Sequence, residues 1–396
     1  MSHHVCILGV YGKGNIGDEA LLASITSTLR EIDPSLRIVI LCSDPEEASK
    51  SAPIDTALRR TPFPDFTRKA RLVAGARACI LGGGTLLCDH GGVVANVRAL
   101  ASTFFWPIIA RLWGTPTVAY AQGVGPATEW PIRFALRHFF PRLEGISLRD
   151  AKSKQILESI AGPSTRFILG TDPVISAMDF AKESVEGAVS AEVQNRIVDF
   201  QPYCAVSFRT PAVRPYNPRE YYASCGRALA RFWAATGRRI LLFPAMLSER
   251  YPDDRIGLEI IEQTLLNEGV PARDVRNGTW KTIAEGFALL HGAQLVAGDR
   301  LHPLLIGMSG GAPAVGIDIE DKIPGCLAMV DHDLCPVFTP ADVGTDQFIE
   351  ALIAGDQASE KVRQEIRCAV ARWGERNSCN MEVLQSVLQH GIHPSH

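Results

Sequence analysis

Two doubly wound α/β halves are what this sequence predicts, on three observations. Short apolar runs rich in β-branched residues alternate with helical patterns. The alternation begins afresh after a polar stretch at about residues 179–201. Run after run ends in a loop bearing glycine or arginine. Strands that are apolar throughout, with helices between them, belong to a parallel sheet covered on both faces. At 396 residues the chain also exceeds the size at which one hydrophobic core usually stops growing.

In the first half the strands are expected at residues 5–8, 37–42, 78–81, 117–121, 145–148 and 166–169. A helix follows the glycine-rich GVYGKGNIGDE, and others are expected at about 97–112, 131–140 and 151–160. The second half offers strands at 204–208, 239–243, 295–298 and 314–317. Its helices fall at 218–236, 255–267 and 282–291, the last opened by the capping pattern Thr282-Ile283-Ala284-Glu285, with another after His302. From Asp342 onward the pattern is helical and polar, without a strand. The domain expectation is therefore 1–180, 181–341 and a helical tail 342–396. Two Rossmann-like halves predict a GT-B-like architecture, with ligands in a cleft at the carboxyl ends of both sheets.

Composition narrows the function. Lys plus Arg number 40 against 43 Asp plus Glu, a net charge of −3, which argues against nucleic acid or any partner held by bulk charge. Small anions need only a few local arginines. The ten cysteines include no CxxC pair, and several sit inside apolar runs, as in VCIL, IVILC and ACIL. Buried free thiols in a reducing cytoplasm account for that placement. MSHHVCILGVYG lacks the basic and apolar regions of a signal peptide. The most apolar later stretch, ALASTFFWPIIARLWGTPTVAYA, reads as helix, turn and strand because Arg111, Gly114 and two prolines interrupt it. The expected location is cytoplasmic.

The chemistry gathers in the loops. Gly12-Lys13-Gly14-Asn15-Ile16-Gly17 matches GxGxxG between a strand and a helix, but Asp44 lies later than the roughly 20-residue spacing of a ribose-binding acid. NAD, another ligand at a helix N-terminus and plain packing all remain open there. Gly82-Gly83-Gly84 and Gln122-Gly123-Val124-Gly125-Pro126 end two further strands, and three such loops on one sheet edge favour a site. Asp150 in Ser-Leu-Arg-Asp reads as a helix cap, whereas Arg149 could face the cleft. In the second half, Arg209 ends one strand and Gly298-Asp299-Arg300-Leu301-His302 ends another. An arginine fork bonds carboxylate or phosphate bidentately, and a histidine beside it can exchange a proton near neutral pH.

Other candidates carry less. Asp331-His332-Asp333 resembles a metal-binding DxD without a third ligand nearby, and Asp253-Asp254 reads as a helix start. His390, His393 and His396 lie in the tail, and Cys88 reads as a small apolar filler. No metal site is expected.

Taken in order, these loops resemble the polysaccharide pyruvyl transferase family. The similarity rests on GVYGKGNIGDEALL, ILGGGTLLCD, AQGVGP, ISLRDAKSKQIL, TDPV, VSFR, LLFPAM, VAGDRLHPLLIGMSGGAPAVGI and a late Asp321-Lys322, spanning about residues 5–330. The resemblance implies an enzyme that takes the enolpyruvyl unit of phosphoenolpyruvate, builds a cyclic ketal on two hydroxyls of a glycan sugar and releases phosphate, without a cofactor. It maps catalytic roles onto His302, Arg300 and Arg209. Substrate binding falls to Asn15, Gly17, Asp18, Gly83, Gly84, Gln122, Arg149 and Lys322. Two departures bear on the acceptor: Pro303 follows His302 where a small residue is usual, and GIDIE replaces a Ser-Tyr pattern before Asp321. The acceptor implied is a glycan or lipid-linked oligosaccharide. Residues 131–140 mix basic and aromatic side chains, which suits an ordinary packed helix with solvated arginines or, alternatively, peripheral membrane contact. The competing functions are a nucleotide-sugar glycosyltransferase, an NAD-dependent oxidoreductase and a non-catalytic glycan-binding module.

Overall fold

A computed structural model of the chain describes residues 3–175, 189, 191–210, 217–319, 322–328 and 335–390. Two units emerge. One comprises Met1–Lys13, Asp18–Ser176 and Gly374–His396; the other comprises Gly14–Gly17 and Ala177–Trp373.

In the first unit, β1 (His4–Leu8), β2 (Arg37–Cys42), β3 (Thr56–Arg59), β4 (Cys79–Leu81), β5 (Gly84–Leu87), β6 (Thr117–Val124), β7 (Gly145–Leu148) and β8 (Ile168–Leu169) form one sheet. Its order is β3-β2-β1-β4-β6-β7-β8, with β5 paired to β6, and every pairing is parallel. The helices are α1 (Ile16–Ile32), α2 (Pro45–Ser51), α3 (Phe66–Ala74), α4 (Val93–Leu112), α5 (Trp130–His138) and α6 (Ala151–Ala161). Cys6, Leu8, Leu41, Leu81 and Ala119 project from the central strands into one buried cluster with Trp106 of α4 and Ile132 of α5. This is the continuous apolar character that made the strands readable. Strands β3 and β5 escape that pattern: Thr-Ala-Leu-Arg is only partly buried, and Gly-Thr-Leu-Leu begins with the last of three successive glycines at the sheet's carboxyl edge.

In the second unit, β9 (Tyr203–Ser207), β10 (Arg239–Leu242), β11 (Val275–Asn277), β12 (Leu295–Gly298), β13 (Ala314–Ile317) and β14 (Val337–Phe338) are parallel in the order β11-β10-β9-β12-β13-β14. Around them lie α7 (Ala191–Phe200), α8 (Pro218–Thr236), α9 (Arg255–Asn267), α10 (Ile283–His291), α11 (Leu301–Ser309), α12 (Ile323–Leu327), α13 (Asp346–Asp356) and α14 (Glu360–Gly374). Phe208, Tyr222, Phe232, Leu242, Ile261 and Phe348 are among its buried core residues. Helix α7 lies within the stretch read as a link. The capping pattern at α10 is half realised: Thr282 accepts from the Glu285 N–H at 3.2 Å, but Glu285 accepts from the Lys281 N–H at 2.8 Å.

The tail read as residues 342–396 is shared between the units. Arg238 bonds Asp356 through Nε at 2.5 Å and Nη2 at 3.0 Å, and Arg363 donates to the Gln294 carbonyl, fastening α13 and α14 to the second unit. Helix α15 (Asn377–His390) returns to the first unit, where the buried Asn380 amide donates to the Thr171 carbonyl at 2.9 Å.

Candidate functional site

In a doubly wound sheet the crevice for a ligand opens where strand order reverses, outside the carboxyl ends. For the second sheet that point lies between β9 and β12. Arg209 follows β9, Asp299, Arg300 and His302 follow β12, and Lys322 follows the next strand, β13. The three sequence-expected catalytic residues therefore stand on the ends of two adjacent parallel strands. Lys322 is at the start of α12, where its N–H donates to Asp318 at 3.1 Å.

The turn into α11 is tight. Gly298 has φ +137°, and a Cβ there would fall 1.9 Å from the Ser207 carbonyl oxygen, so only glycine lets the end of β12 lie against β9. Asp299 then bridges the two strands. Its Oδ1 accepts from the Arg209 N–H at 2.6 Å and its Oδ2 from the Tyr221 hydroxyl at 3.1 Å. Arg300 is held by Asp254, a fully buried carboxylate that accepts from Nε at 3.0 Å and Nη2 at 2.5 Å. Asp254 also accepts from the backbone N–H groups of Thr210 and Met246, each at 3.0 Å. The pair thus fixes one edge of the Arg300 fork and leaves Nη1 on the other edge.

The segment Gly14–Gly17 belongs to this second unit, although its sequence was assigned to the first domain. Asn15 forms an antiparallel bridge with Met246, the Ile16 N–H donates to the Ala245 carbonyl, and the Leu247 N–H donates to the Gly14 carbonyl. Gly17 rests on the His302 ring so closely that a Cβ would fall 1.7 Å from Nδ1. His302 Nε2 is shut off from solvent. Of the expected substrate-binding residues, Asn15 and Gly17 therefore sit beside the catalytic candidates, and Asn15 Oδ1 accepts from the Gly17 N–H at 3.0 Å.

The first unit carries the remaining candidates. Gly83 and Gly84 follow β4, and Asp18 Oδ1 lies 4.0 Å from where a Cβ of Gly84 would stand. Gln122 is buried, and its amide donates to the carbonyls of Leu81 at 3.2 Å and Gly82, so it secures the glycine loop from below. Arg149 is only 3% exposed. Its guanidinium bonds Asp172 at 3.1 Å, Thr85 at 3.0 Å and Asp150 at 3.3 Å. These bonds let Arg149 tie β5, β7 and the loop after β8 together. Asp150 caps α6, accepting from the Ser153 N–H at 2.7 Å.

The literal dinucleotide reading finds no support at this turn. The Gly12 N–H is taken by Glu19 at 2.8 Å, and Asp44 caps α2 by accepting from the Glu46 N–H at 3.2 Å. Cys88 is buried, with Sγ 3.8 Å from His90 Nε2. Asp331-His332-Asp333, Asp321, His393 and His396 lie outside the described residues, as does the side chain of His390.

The profile of the family described as polysaccharide pyruvyl transferase matches residues 15–321. The chain belongs to this family. Membership makes the protein a transferase of polysaccharide biosynthesis with a glycan acceptor. Among curated proteins, none matches the sequence. Solved structures share the fold. The UDP-GlcNAc 2-epimerase from Neisseria meningitidis bound to UDP-GlcNAc has a TM-score of 0.62 at 11% identity, over 97% of this chain and 99% of that one. A glycosyltransferase from Rickettsia africae ESF-5 gives 0.60 at 9% identity over the whole of both chains. The α,α-trehalose 6-phosphate synthase from Burkholderia multivorans gives 0.59 at 10% identity over 98% of each. At such identities the likeness establishes two Rossmann-like domains of GT-B type and nothing finer.

In this pyruvyl transferase family member, Asp254, Asp299 and Tyr221 are the residues that the strand-end reading missed. Burial pushes the Asp299 carboxyl up to about 7, against the opposing pull of the Arg209 N–H and the Arg300 charge. Near neutrality it is partly protonated, so it neutralises the neighbouring arginines less than a full carboxylate would. The sign follows from linkage: a carboxyl raised in the folded state binds its proton more tightly there than when unfolded. Its contribution is therefore full below about pH 4 and is lost as pH rises to about 7. Asp299→Asn should flatten that part of the stability profile. Urea unfolding of both proteins from pH 4 to 8 checks this, and parallel profiles would contradict it.

Proposed function

We propose that the protein transfers the pyruvyl unit of phosphoenolpyruvate to two hydroxyls of one glycan sugar, forming a cyclic ketal and releasing phosphate. What carries the reading is the grouping of Arg209, Arg300 and His302 at the carboxyl ends of β9 and β12, the switch point of the sheet. A donor bearing both a carboxylate and a phosphate calls for more than one guanidinium, each able to bond either group through its planar fork. The clamp of Asp254 on Arg300 keeps one fork oriented before the donor arrives, which lowers the ordering cost of binding.

Proton accounting gives His302 its role. As imidazolium it protonates the methylene carbon of the donor, turning it into a methyl group while cationic character develops at the neighbouring carbon. The first sugar hydroxyl attacks that carbon and returns its proton to His302. The carbon–oxygen bond to phosphate then breaks, with Arg209 and Arg300 stabilising the charge that gathers on the leaving group. The second hydroxyl closes the ring, and its proton departs with phosphate.

Because the guanidinium groups supply the positive charge, phosphoenolpyruvate should bind without added divalent metal. Calorimetric titration in excess chelator is expected to give saturable binding. Binding lost in chelator and restored by magnesium would contradict this account of the donor site.

A further inference from the structure

All the exposed large apolar side chains among the described residues fall within residues 63–139, except Val198, Ile256 and Leu266. They converge on α4 and α5 of the first unit. Between these helices lies an open groove of about 460 Å³ lined by Val97, Phe104, Ile108, Trp130, Phe134 and Phe139 among others, with scarcely a polar atom in its walls. Trp130 and Phe134 are 62% and 50% exposed. Helix α4 is also the one described helix long and apolar enough to cross a membrane, yet it is fastened to the sheet. Trp106 and Phe104 are buried, and the Trp106 indole donates to the Arg60 carbonyl at 2.7 Å. Its outer face is what remains apolar.

Charge accompanies this surface. Residues 93–142 contain Arg98, Arg111, Arg133, Arg137 and Arg142 against Glu129 alone, in a chain whose net charge is −3. Arg98, Arg133 and Arg137 are exposed, the last two on the helix that carries Trp130 and Phe134. Arg137 also lines a second groove, of about 620 Å³, with Arg111, Arg142 and Arg166, where Glu144 and Glu382 offset part of the charge and Arg111 pairs with Glu144 at 3.3 Å. The apolar groove is thus bordered by exposed arginines, with α5 carrying residues of both kinds. A soluble protein rarely leaves such a contiguous apolar patch uncovered. A protein partner would need only a local match, but this pairing has the chemistry of a bilayer surface: apolar side chains, tryptophan at the boundary and cations at headgroup depth.

We propose that the α4–α5 face of the first unit docks the protein on an anionic lipid bilayer. Trp130, Phe134 and Phe139 enter the acyl boundary, while Arg133, Arg137 and Arg142 meet the headgroup phosphates. The helices lie in the plane of the surface, and the chain is held without a spanning segment. This inference does not depend on the donor chemistry, because it concerns the first unit, whereas Arg209, Arg300 and His302 belong to the second, and it is read without turnover.

Flotation of the full chain with phosphatidylcholine vesicles, with and without added phosphatidylglycerol, tests it. Binding is expected on the anionic vesicles and should weaken with salt. Arg133→Glu with Arg137→Glu should lower the partition on the order of a hundredfold or more, since losing two basic side chains costs about a factor of five each and the two carboxylates introduced are repelled by the same surface. Phe134→Ser should reduce binding even at low salt, with the melting temperature of each variant confirming its fold. Failure to float with anionic vesicles, or flotation unchanged in both folded variants, overturns the proposal. Self-association in lipid-free sedimentation that Phe134→Ser abolishes overturns it too, since a second copy would then cover the face. Extraction from cell membranes by carbonate is expected; resistance to carbonate would mean a spanning helix and would also overturn it.

Discussion

His302→Ala is expected to lose turnover by about a hundred- to ten-thousand-fold or more, the range that positioned acid–base groups supply. Affinity for phosphoenolpyruvate should stay near native, because the proposed mechanism has the guanidinium groups hold the anionic donor. The ring is packed beneath Gly17 with Nε2 away from solvent, so its orientation is set before substrate binds. Replacing it by alanine leaves Arg300 on Asp254 undisturbed, since that ion pair does not pass through His302. Single-turnover rate, donor affinity and melting temperature measured on one preparation separate chemistry from folding. A folded variant with a near-native rate would remove His302 from the mechanism. A rate that falls only with the folded fraction would make it a packing residue.

Asp254→Ala should produce the largest loss of stability at the site. Asp254 is fully buried and Arg300 is 13% exposed at the side chain, so removing the carboxylate leaves a largely desolvated cation without its partner. Breaking one side of such a pair typically costs about 3–5 kcal/mol. The N–H groups of Thr210 and Met246 would lose their acceptor at the same time. Hydrogen exchange of β9 and β12 with urea unfolding should report that loss. Arg300→Lys makes a different prediction. It keeps the charge but cannot bond Asp254 along a planar edge while presenting a second edge to the donor. Donor binding should weaken by about ten- to a hundredfold, matching the worth of a hydrogen bond to a charged group. Unchanged stability in Asp254→Ala would show that the pair carries little, and unchanged affinity in Arg300→Lys would remove Arg300 from the donor site.

The strands that carry the site were readable because fully covered parallel strands are apolar from end to end, and a change to Gly-Asp-Arg marks where β12 stops. The same change marks the other strand ends only approximately: Gln122–Val124 prolong β6 beyond the expected end at 121, and Gly84 opens β5. What the chain order hid are the pairings. Asp254 looks like an ordinary helix start, and nothing local points to Arg300, which it clamps across 46 residues. Arg149 looked like a strand-end cation open to ligand because Asp172, its acid partner, lies 23 residues further on. The most consequential case is Gly14–Gly17. Its glycine pattern suggests a phosphate turn attached to β1, but the decisive contacts are a backbone bridge to Met246 and the close approach of Gly17 to His302, neither of which has a sequence signature. Periodicity finds elements; long-range partners that satisfy buried charge are set only by the fold.

If Arg209, Arg300 and His302 move a pyruvyl unit from phosphoenolpyruvate to a glycan, phosphate release and ketal formation must be coupled. The most direct test incubates the purified chain with phosphoenolpyruvate and a panel of glycan acceptors, following phosphate release and the product's proton NMR spectrum together. Phosphate release that depends on acceptor, one methyl singlet of a cyclic ketal per phosphate released, and loss of both in His302→Ala are expected. Phosphate release without acceptor, free pyruvate in place of a ketal, or consumption of a nucleotide sugar with phosphoenolpyruvate untouched would contradict it.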